Sequence, residues 1–339
     1  IVNGGTLTME NVVFKNNETQ STDKLIGGLI LNKGQINLLS NLVVEGNKSS
    51  NPVQQLWGGL ISNGGSLDNA SLNGNIDNIE NSIFKDNYIY STNLAPHGGI
   101  ILNTYSTIGT IKNVTFENNI MESAENSLGG AHGTAIDNNE GSTINLITGS
   151  TFKNNKVIRT GTNDVSSNVN YHGSAAAIDN YHIIGSIENS IFESNSTSCQ
   201  NCLTTGGAIM NVYADDQTMK GYIGSIKNTI FKGNNVNTLK LYARGGAIST
   251  VGTIDSIINT TFEGNFATAV TYARGGAIYN TGTIGNISGD FLNNYVKTSS
   301  TSDFTLGGGI YTTKNLTFTT GGKERFFSSN YTEDKRGKI

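Results

Sequence analysis

Two short motifs alternate along the whole chain, and this alternation constrains the fold more than any other feature of the sequence. The first motif, Gly-Gly-small-Ile-x-Asn, is clearest at residues 206–211 and 275–280. The second motif, Phe-x-x-Asn, begins at Phe14, Phe84, Phe116, Phe152, Phe192, Phe231, Phe262, Phe291 and Phe327. Copies recur at intervals of roughly 30 to 44 residues, which predicts one repeat architecture rather than separate globular domains.

The residues before each phenylalanine predict the shape of one repeat. An isoleucine stands five positions before the phenylalanine, as in Ile79 and Phe84, with Asn81 between them. In one continuous strand such residues face opposite sides, so the chain must bend for both to enter a core. Asparagine accepts left-handed backbone angles and suits such a corner. We therefore expect an all-β chain, a right-handed single-stranded parallel β-helix (solenoid) of about nine to ten three-sided coils.

Stacking of the coils places equivalent residues above one another and predicts structural ladders. The phenylalanines would fill the core, and the asparagines of the same motif would hydrogen-bond to one another along a corner. The predicted ladder residues are Phe84, Phe116, Phe152, Phe192, Phe231, Phe262, Phe291, Asn87, Asn119, Asn155, Asn195, Asn234, Asn265 and Asn294.

The composition narrows the range of partners. The 22 basic and 26 acidic side chains give a net charge of −4, which argues against nucleic-acid binding. The sequence has no run of about 18 apolar residues, so no membrane-spanning segment is expected. Charged residues make up only 14% of the chain, whereas it has 42 glycines and 47 asparagines. Such a chain is uncharged and polar, and its phenylalanines, tyrosines and isoleucines favour order over disorder.

The alternation of Gly-Gly-Ala-Ile with Phe-x-x-Asn resembles the repeats of chlamydial polymorphic membrane proteins and related autotransporter passengers. The last copy, residues 307–318, is especially similar to such a repeat. The resemblance implies a cell-surface, outer-membrane or secreted passenger that binds a host-cell protein or glycan receptor as an adhesin. Because the chain begins part-way through a motif copy, we interpret residues 1–339 as a single β-helix domain, excised or processed from a longer surface protein.

Two aspartates form the first candidate site. The residue after Ile in the glycine motif is expected to face outward, and Asp137 and Asp179 hold this position in adjacent copies. Carboxylates about 5 Å apart could share an incidental Ca²⁺, or act as the acid and base of a polysaccharide lyase or hydrolase. Like charges at this spacing predict a raised pKa for one of them. The flanking Leu102 and Met210 favour a noncatalytic solvated face, and no other cofactor is expected.

A direct repeat of Tyr-Ala-Arg forms the second candidate site. Tyr242, Arg244, Tyr272 and Arg274 are expected to stack in adjacent coils on one flank. Tyrosine and arginine are the favoured residues of binding hot spots, and arginine binds carboxylates through paired hydrogen bonds. The alternative interpretation is a surface ladder copied by tandem duplication.

Cysteine and histidine give weaker signals. Cys199 and Cys202 lie in a variable stretch, where a local disulfide is expected outside the cell. The histidines lack the spacing of a metal site, which favours structural roles near the glycine corner. They are His97, His132, His172 and His182.

Three classes of function remain open from the sequence. The leading hypothesis is a stiff surface adhesin that displays variable loops, which are residues 156–172, 196–205, 212–222 and 295–306. The second is a structural surface fibre, in which end coils of neighbouring copies stack through unpaired strand edges. The third is a glycan-cleaving enzyme that uses the two aspartates.

Overall fold

The computed structural model consists of stacked parallel strands. The described residues are 1–23, 25–51, 56–65, 73–92, 96–124, 131–160, 175–212, 220–299, 301, 305–320 and 325–338. His172 and parts of the predicted loops 156–172, 212–222 and 295–306 lie outside them. Within the described residues, no helix has the length and apolar character that a membrane span requires.

The last three residues of each glycine motif form strands, and these strands pair in a parallel sheet, called here the glycine sheet. Neighbouring strands pair in register, so that Ile136 lies beside Ile178 and Asn138 beside Asn180. The strands are Val2–Asn3, Ile30–Asn32, Ile61–Asn63, Ile101–Asn103, Ile136–Asn138, Ile178–Asn180, Ile209–Asn211, Ile248–Thr250, Ile278–Asn280 and Ile310–Thr312.

The strands around the phenylalanine motif form a second parallel sheet, called here the phenylalanine sheet. Most coils contribute two strands with a bend between them, where Asn81, Asn113 and Asn189 have φ of 49°, 54° and 49°. The bend predicted from the spacing of Ile, Asn and Phe is confirmed, and left-handed asparagine forms it. The strands are Thr6–Glu10, Val13–Lys15, Gln35–Ser40, Val43–Glu45, Asn75–Glu80, Ile83–Lys85, Thr107–Lys112, Thr115–Glu117, Thr143–Thr148, Thr151–Lys153, Ile183–Glu188, Ile191–Glu193, Tyr222–Lys227, Ile230–Lys232, Thr253–Glu263, Thr283–Leu292, Thr317–Phe318 and Phe327–Ser328.

A third sheet follows the asparagine of Phe-x-x-Asn and is called here the asparagine sheet. Its strands pair in parallel, except that the last two pair antiparallel. They are Glu18–Gln20, Lys48–Asn51, Tyr88–Ser91, Ile120–Ser123, Lys156–Arg159, Ser196–Cys199, Asn235–Thr238, Phe266–Ala269, Tyr295–Thr298, Tyr331–Asp334 and Gly337–Lys338. The parallel β-helix predicted from the repeat is therefore the fold of the chain.

Phenylalanine and isoleucine ladders fill the interior. Phe84 and Phe116 stack with their ring centroids 5.1 Å apart, and Phe152 and Phe192 stack at 4.6 Å. The same stacking continues through Phe231, Phe262 and Phe291. Each of these side chains is fully buried, which stabilises the fold by about 1.5 to 3 kcal/mol per side chain.

A ladder of buried asparagines runs beside the phenylalanines. The Nδ2 atom of Asn119 donates to Oδ1 of Asn155 and to the carbonyl oxygen of Phe84, both at 2.9 Å. Its own Oδ1 accepts from Nδ2 of Asn87 at 2.9 Å. Because a buried amide left unpaired costs about 1 to 3 kcal/mol, this bonding makes a polar corner compatible with burial. The ladder comprises Asn47, Asn87, Asn119, Asn155, Asn195, Asn234, Asn265, Asn294 and Asn330.

The structure contains a fourth short segment in the coil that the three-sided prediction lacks. It precedes the glycine motif, pairs in parallel with its equivalent in the next coil, and is called here the flank. Its strands and bridge residues are Leu25–Ile26, Leu56–Trp57, His97, His132, Thr204–Thr205, Tyr242–Arg244, Tyr272–Arg274 and Thr305–Leu306. A segment of two or three residues is too short to show a periodic pattern in the sequence.

Candidate functional site

The flank folds back over the outer side of the glycine sheet because a left-handed glycine reverses the chain. Gly133 has φ of 57° and Gly275 has φ of 70°. A Cβ atom added to Gly275 would collide with the carbonyl oxygen of Ile278, so the reversal requires glycine. The residues directly before these glycines form the flank column, which consists of Ile26, Trp57, His97, His132, Thr205, Arg244, Arg274 and Leu306.

The flank column covers the residues that follow Ile in the glycine motif, called here the outer column. These residues are Leu31, Ser62, Leu102, Asp137, Asp179, Met210, Ser249, Tyr279 and Tyr311. The expectation that this position faces solvent is wrong for Asp137 and Asp179, whose exposed fraction is 0%. They point away from the main core, but the flank lies over them.

One pairing rule relates the two columns. The histidines and arginines of the flank each contact the outer-column residue of the next coil, so His97 meets Asp137 and His132 meets Asp179, whereas Thr205 bonds to Met210 of its own coil. Further along the rod, Arg244 and Arg274 follow the same rule and lie over the rings of Tyr279 and Tyr311. The rule joins residues that lie about one repeat apart in the sequence. The spacing of residues within one motif copy therefore does not reveal these contacts.

Histidines and aspartates fill the first part of the flank. Nδ1 of His97 lies 3.3 Å from Oδ2 of Asp137, and Nδ1 of His132 lies 3.3 Å from Oδ2 of Asp179. The two imidazole rings stack with centroids 4.5 Å apart, and His97 also stacks on Trp57 at 4.2 Å. All of these side chains are buried. The cluster is therefore a packed polar layer between the flank and the glycine sheet.

Burial changes the acid-base properties of this cluster. Desolvation and then the charge of Asp137 raise the pKa of Asp179 well above its ordinary value, while the backbone N–H groups of Ala175 and Gly133 oppose the shift. The hydroxyl of Tyr181 lies 2.6 Å from Nδ1 of His132, and Nδ2 of Asn139 donates to Oδ2 of Asp137 at 3.2 Å. These neighbours occupy the space around the carboxylates.

The buried setting argues against the glycan-cleaving hypothesis at Asp137 and Asp179. Acid-base hydrolysis of a glycan requires both carboxyl groups to flank a bound sugar, and neither side chain reaches solvent. Among the described residues, no group of three or more His, Cys, Asp or Glu side chains is arranged to hold a metal ion.

Arginines and tyrosines fill the second part of the flank. The guanidinium of Arg244 lies 5.0 Å from the ring centroid of Tyr279, and that of Arg274 lies 4.9 Å from that of Tyr311. Nη1 of Arg274 also donates to the hydroxyl of Tyr311 at 3.3 Å. Desolvation lowers the pKa of the Arg244 guanidinium, Tyr279 opposes this, and Arg274 adds to it. Both arginines thus make cation–π contacts within the chain.

The predicted stack of the two Tyr-Ala-Arg copies is present in the structure. Tyr242 pairs with Tyr272 and Arg244 with Arg274 in parallel register, and the two tyrosine rings lie 4.6 Å apart. The tyrosines are only partly buried, whereas the guanidinium groups are turned toward Tyr279 and Tyr311. The two arginines are partly buried as well, so tyrosine and arginine side chains are both present at this surface.

A disulfide joins Cys199 to Cys202 in the connection between the asparagine sheet and the flank. Both cysteines are buried, with exposed fractions of 5% and 3%. The hydroxyl of Thr238 in the next coil donates to the carbonyl oxygen of Cys202 at 2.8 Å. This connection is therefore fixed to the neighbouring coil.

Comparison with known proteins adds a finding on the repeat itself. The family model of the Chlamydia polymorphic membrane protein repeat matches residues 259–281. In the structure this segment runs from the Asn259 corner through Phe262 and the flank strand Tyr272–Arg274 into the glycine motif. No curated protein and no solved structure matches the chain. The chain carries chlamydial polymorphic membrane protein-type repeats.

Proposed function

We propose that this chain is a segment of a surface-exposed passenger, and that its β-helix acts as an adhesin by holding loops toward a host-cell protein or glycan. The repeat match at residues 259–281 carries the proposal, because that repeat is typical of polymorphic membrane proteins at the outer membrane or cell surface. The regular stacking of the sheets supports it, since a stiff framework with variable connections suits display.

The position of the predicted contact loops also supports the proposal. The strands Lys156–Arg159, Ser196–Cys199 and Tyr295–Thr298 all belong to the asparagine sheet. The first four residues of the predicted loops 156–172, 196–205 and 295–306 are therefore strand and not loop. The connections that follow these strands leave the sheet at the same edge. Loops on one edge can contact one partner together.

Other coils close the same edge with very short connections. Residues 239–241 join the asparagine sheet to the flank in one coil, and residues 270–271 do so in the next. The coil therefore needs only two or three residues at this place, and longer stretches are additions to it. Additions to a rigid repeat that the fold does not need are candidates for partner contact.

Cell binding by a loop-shortened variant tests the adhesin. In this variant a single threonine, as at residue 271, replaces residues 161–169, so that five residues separate Arg159 from Gly173, as in the coil between Ala269 and Gly275. We expect binding of the labelled chain to cultured mammalian epithelial cells, measured by flow cytometry, to fall by about fivefold or more. A matched variant shortens residues 213–219, which follow the glycine sheet at another edge, and should bind as the parent does.

Circular dichroism of each variant is the control that its β-structure is retained. Unchanged cell binding of the first variant, or equal losses in both, contradicts the assignment to the asparagine-sheet edge. Absence of binding by the parent chain to cells and to a glycan array contradicts the adhesin itself. End-to-end filaments in negative-stain electron microscopy would then support the structural fibre.

A further inference from the structure

A flat strip on the outer face of the phenylalanine sheet combines charged and apolar residues in two parallel columns. The phenylalanines point inward, so the residues on either side of each phenylalanine point outward. The branched column consists of Val13, Val43, Ile83, Thr115, Thr151, Ile191, Ile230 and Thr261. The charged column consists of Lys15, Glu45, Lys85, Glu117, Lys153, Glu193, Lys232 and Glu263. Both columns end there, because the next coil places Asp290 beside Thr261 and Leu292 beside Glu263.

The charged column alternates in sign at every coil. Lys15 and Lys85 flank Glu45, with Nζ atoms 3.4 Å and 3.5 Å from its carboxylate oxygens. Partial desolvation raises the pKa of Glu45, but the attraction of the two ammonium groups lowers that pKa by a larger amount, so the net shift is downward. Lys153 and Glu193 form another such pair at 3.7 Å. Alternation avoids like charges on adjacent strands and leaves both signs at the surface.

The branched column is an exposed apolar row beside these charges. Val13 is 62% exposed, Ile83 and Ile230 are each 41% exposed, and Ile191 is 39% exposed. Threonines occupy the middle of the row at Thr115 and Thr151. A row of exposed β-branched side chains along a regular sheet is a surface that other proteins can cover.

The strip is complementary to its own reversal. Read from the opposite end, the charged column places glutamate where lysine stood, so Lys85 would face Glu193 and Glu117 would face Lys153. The reversed branched column places Ile83 on Ile191, Thr115 on Thr151 and Val43 on Ile230, while Val13 meets Thr261. A parallel copy at the same height would instead bring like charges together. The complementarity is thus specific to an antiparallel arrangement.

We propose that this strip is an interface between two copies of the chain, which lie antiparallel with a two-fold axis between the levels of Glu117 and Lys153. Each lysine of the charged column then lies between carboxylates of its own copy and one carboxylate of the other. Thr115 and Thr151 meet at the centre, and Ile83 and Ile191 cover each other on either side of it. The partner is a second copy because only the reversed strip matches both columns at once.

The size of the strip sets the strength of the contact. Eight strands at about 4.8 Å and a width of about 10 Å give an area of about 400 Å² per copy. The total of about 800 Å² is below the roughly 1,200 Å² of stable interfaces, so the strip predicts a weak, reversible dimer. Many copies displayed on a surface would multiply such a weak contact. If the proposed surface location holds, rods on two facing cells run in opposite directions and could pair in this way.

Charge reversal with rescue tests the interface in the complete chain. Glu117→Lys places lysine opposite Lys153 of the second copy, and Lys153→Glu places glutamate opposite Glu117. Each variant alone should dimerise about tenfold more weakly than the parent in sedimentation velocity at low salt. Mixed in equal amounts, the two variants should form a heterodimer within about threefold of the parental affinity, because each repairs the other only in this register.

Lys297→Glu is the matched control, because Lys297 pairs with Glu333 on the asparagine sheet and lies off the strip. It should leave the parental affinity unchanged. Parental dimers should weaken as salt rises from about 50 to 500 mM. A parent that stays monomeric up to about 0.5 mM, a dimer unaffected by both variants, or a folded mixture without rescue overturns the proposal.

Discussion

The His-Asp part and the Arg-Tyr part of the flank share one backbone and differ in chemistry. In both parts a residue before a left-handed glycine covers the outer-column residue of the next coil. His132 does this with the carboxylate of Asp179 at 3.3 Å, and Arg274 does it with the ring of Tyr311 at 4.9 Å. The backbone therefore fixes which positions meet, whereas the side chains decide whether they form acid-base pairs or cation–π pairs.

This difference teaches where such a repeat can vary. The interior ladders repeat one residue type through many coils, because an odd side chain would disturb the stacking above and below it. The flank layer admits histidine, threonine and arginine in turn, since each residue of the flank column contacts other residues of that column only in adjacent coils. Nearest-neighbour coupling of this kind is typical of solenoids.

The largest effect on stability is expected from the left-handed glycine that follows the flank residue in each part. Gly133→Ala and Gly275→Ala should each lower the free energy of unfolding by about 3 kcal/mol, because alanine is strained at positive φ and its Cβ collides with a backbone carbonyl. Urea unfolding monitored by circular dichroism measures the loss. Gly264→Ala is the control, because Gly264 also has positive φ but nothing lies within 4 Å of its added Cβ. A loss there as large as at Gly275 would contradict the role given to the collision.

Truncation of one side chain in each part should lower the free energy of unfolding by different amounts in the two parts. His97→Ala should destabilise the chain by about 2 to 3 kcal/mol, because it removes stacking on Trp57 and His132 and a partner of buried Asp137. Arg274→Met should cost about 1 kcal/mol, since methionine fills the space of the stem and loses the cation–π contact. Urea unfolding of both variants at pH 7 checks the order. Equal losses would show that burial alone, and not the pairing chemistry, decides stability.

The His-Asp part should make stability depend on pH, and the Arg-Tyr part should not. Between the ordinary pKa of Asp179 and its raised folded value, the folded state keeps a proton that the unfolded chain releases. Stability from this group is therefore lost as pH rises through that window, by about 1.4 kcal/mol per unit of pKa separation. Asp179→Asn should gain stability relative to the parent between about pH 4 and pH 7.

Thermal unfolding of the parent, Asp179→Asn and Arg274→Met at pH 4, 5.5 and 7 makes this comparison. The difference between Arg274→Met and the parent should stay constant. A constant difference for Asp179→Asn as well would show that the carboxyl does not keep its proton in the folded chain.

The smallest effect should come from the hydroxyl of Tyr311. Tyr311→Phe removes the bond from Nη1 of Arg274 but keeps the ring beneath the guanidinium, so a loss of about 0.5 kcal/mol is expected. Paired thermal melts of this variant and Arg274→Met resolve the two contributions. A loss as large as that of Arg274→Met would assign the contact to the hydrogen bond rather than to the ring.

The sequence predicts the interior better than the flank. The ladder through Phe84 and Asn87 and the bend at Asn81 follow from spacings of at most eight residues, and the period of a strand explains them. The burial of Asp137 could not be read in this way, because its cover is His97, 40 residues earlier. The repeated Tyr-Ala-Arg indicates a flank strand in the sequence. A strand of two or three residues is too short to predict that it packs over the outer side of the glycine sheet.

The asparagine ladder gives the rod a direction. From Asn47 through Asn155 to Asn294, each Nδ2 atom donates one hydrogen bond to the Oδ1 atom of the asparagine in the next coil, and the series ends at Oδ1 of Asn330. The amide dipoles therefore align head to tail along the axis, so the two ends of such a stack are chemically unlike. A coil that docks on the end nearer Asn330 must present an oxygen, whereas one that docks on the other end must present an N–H.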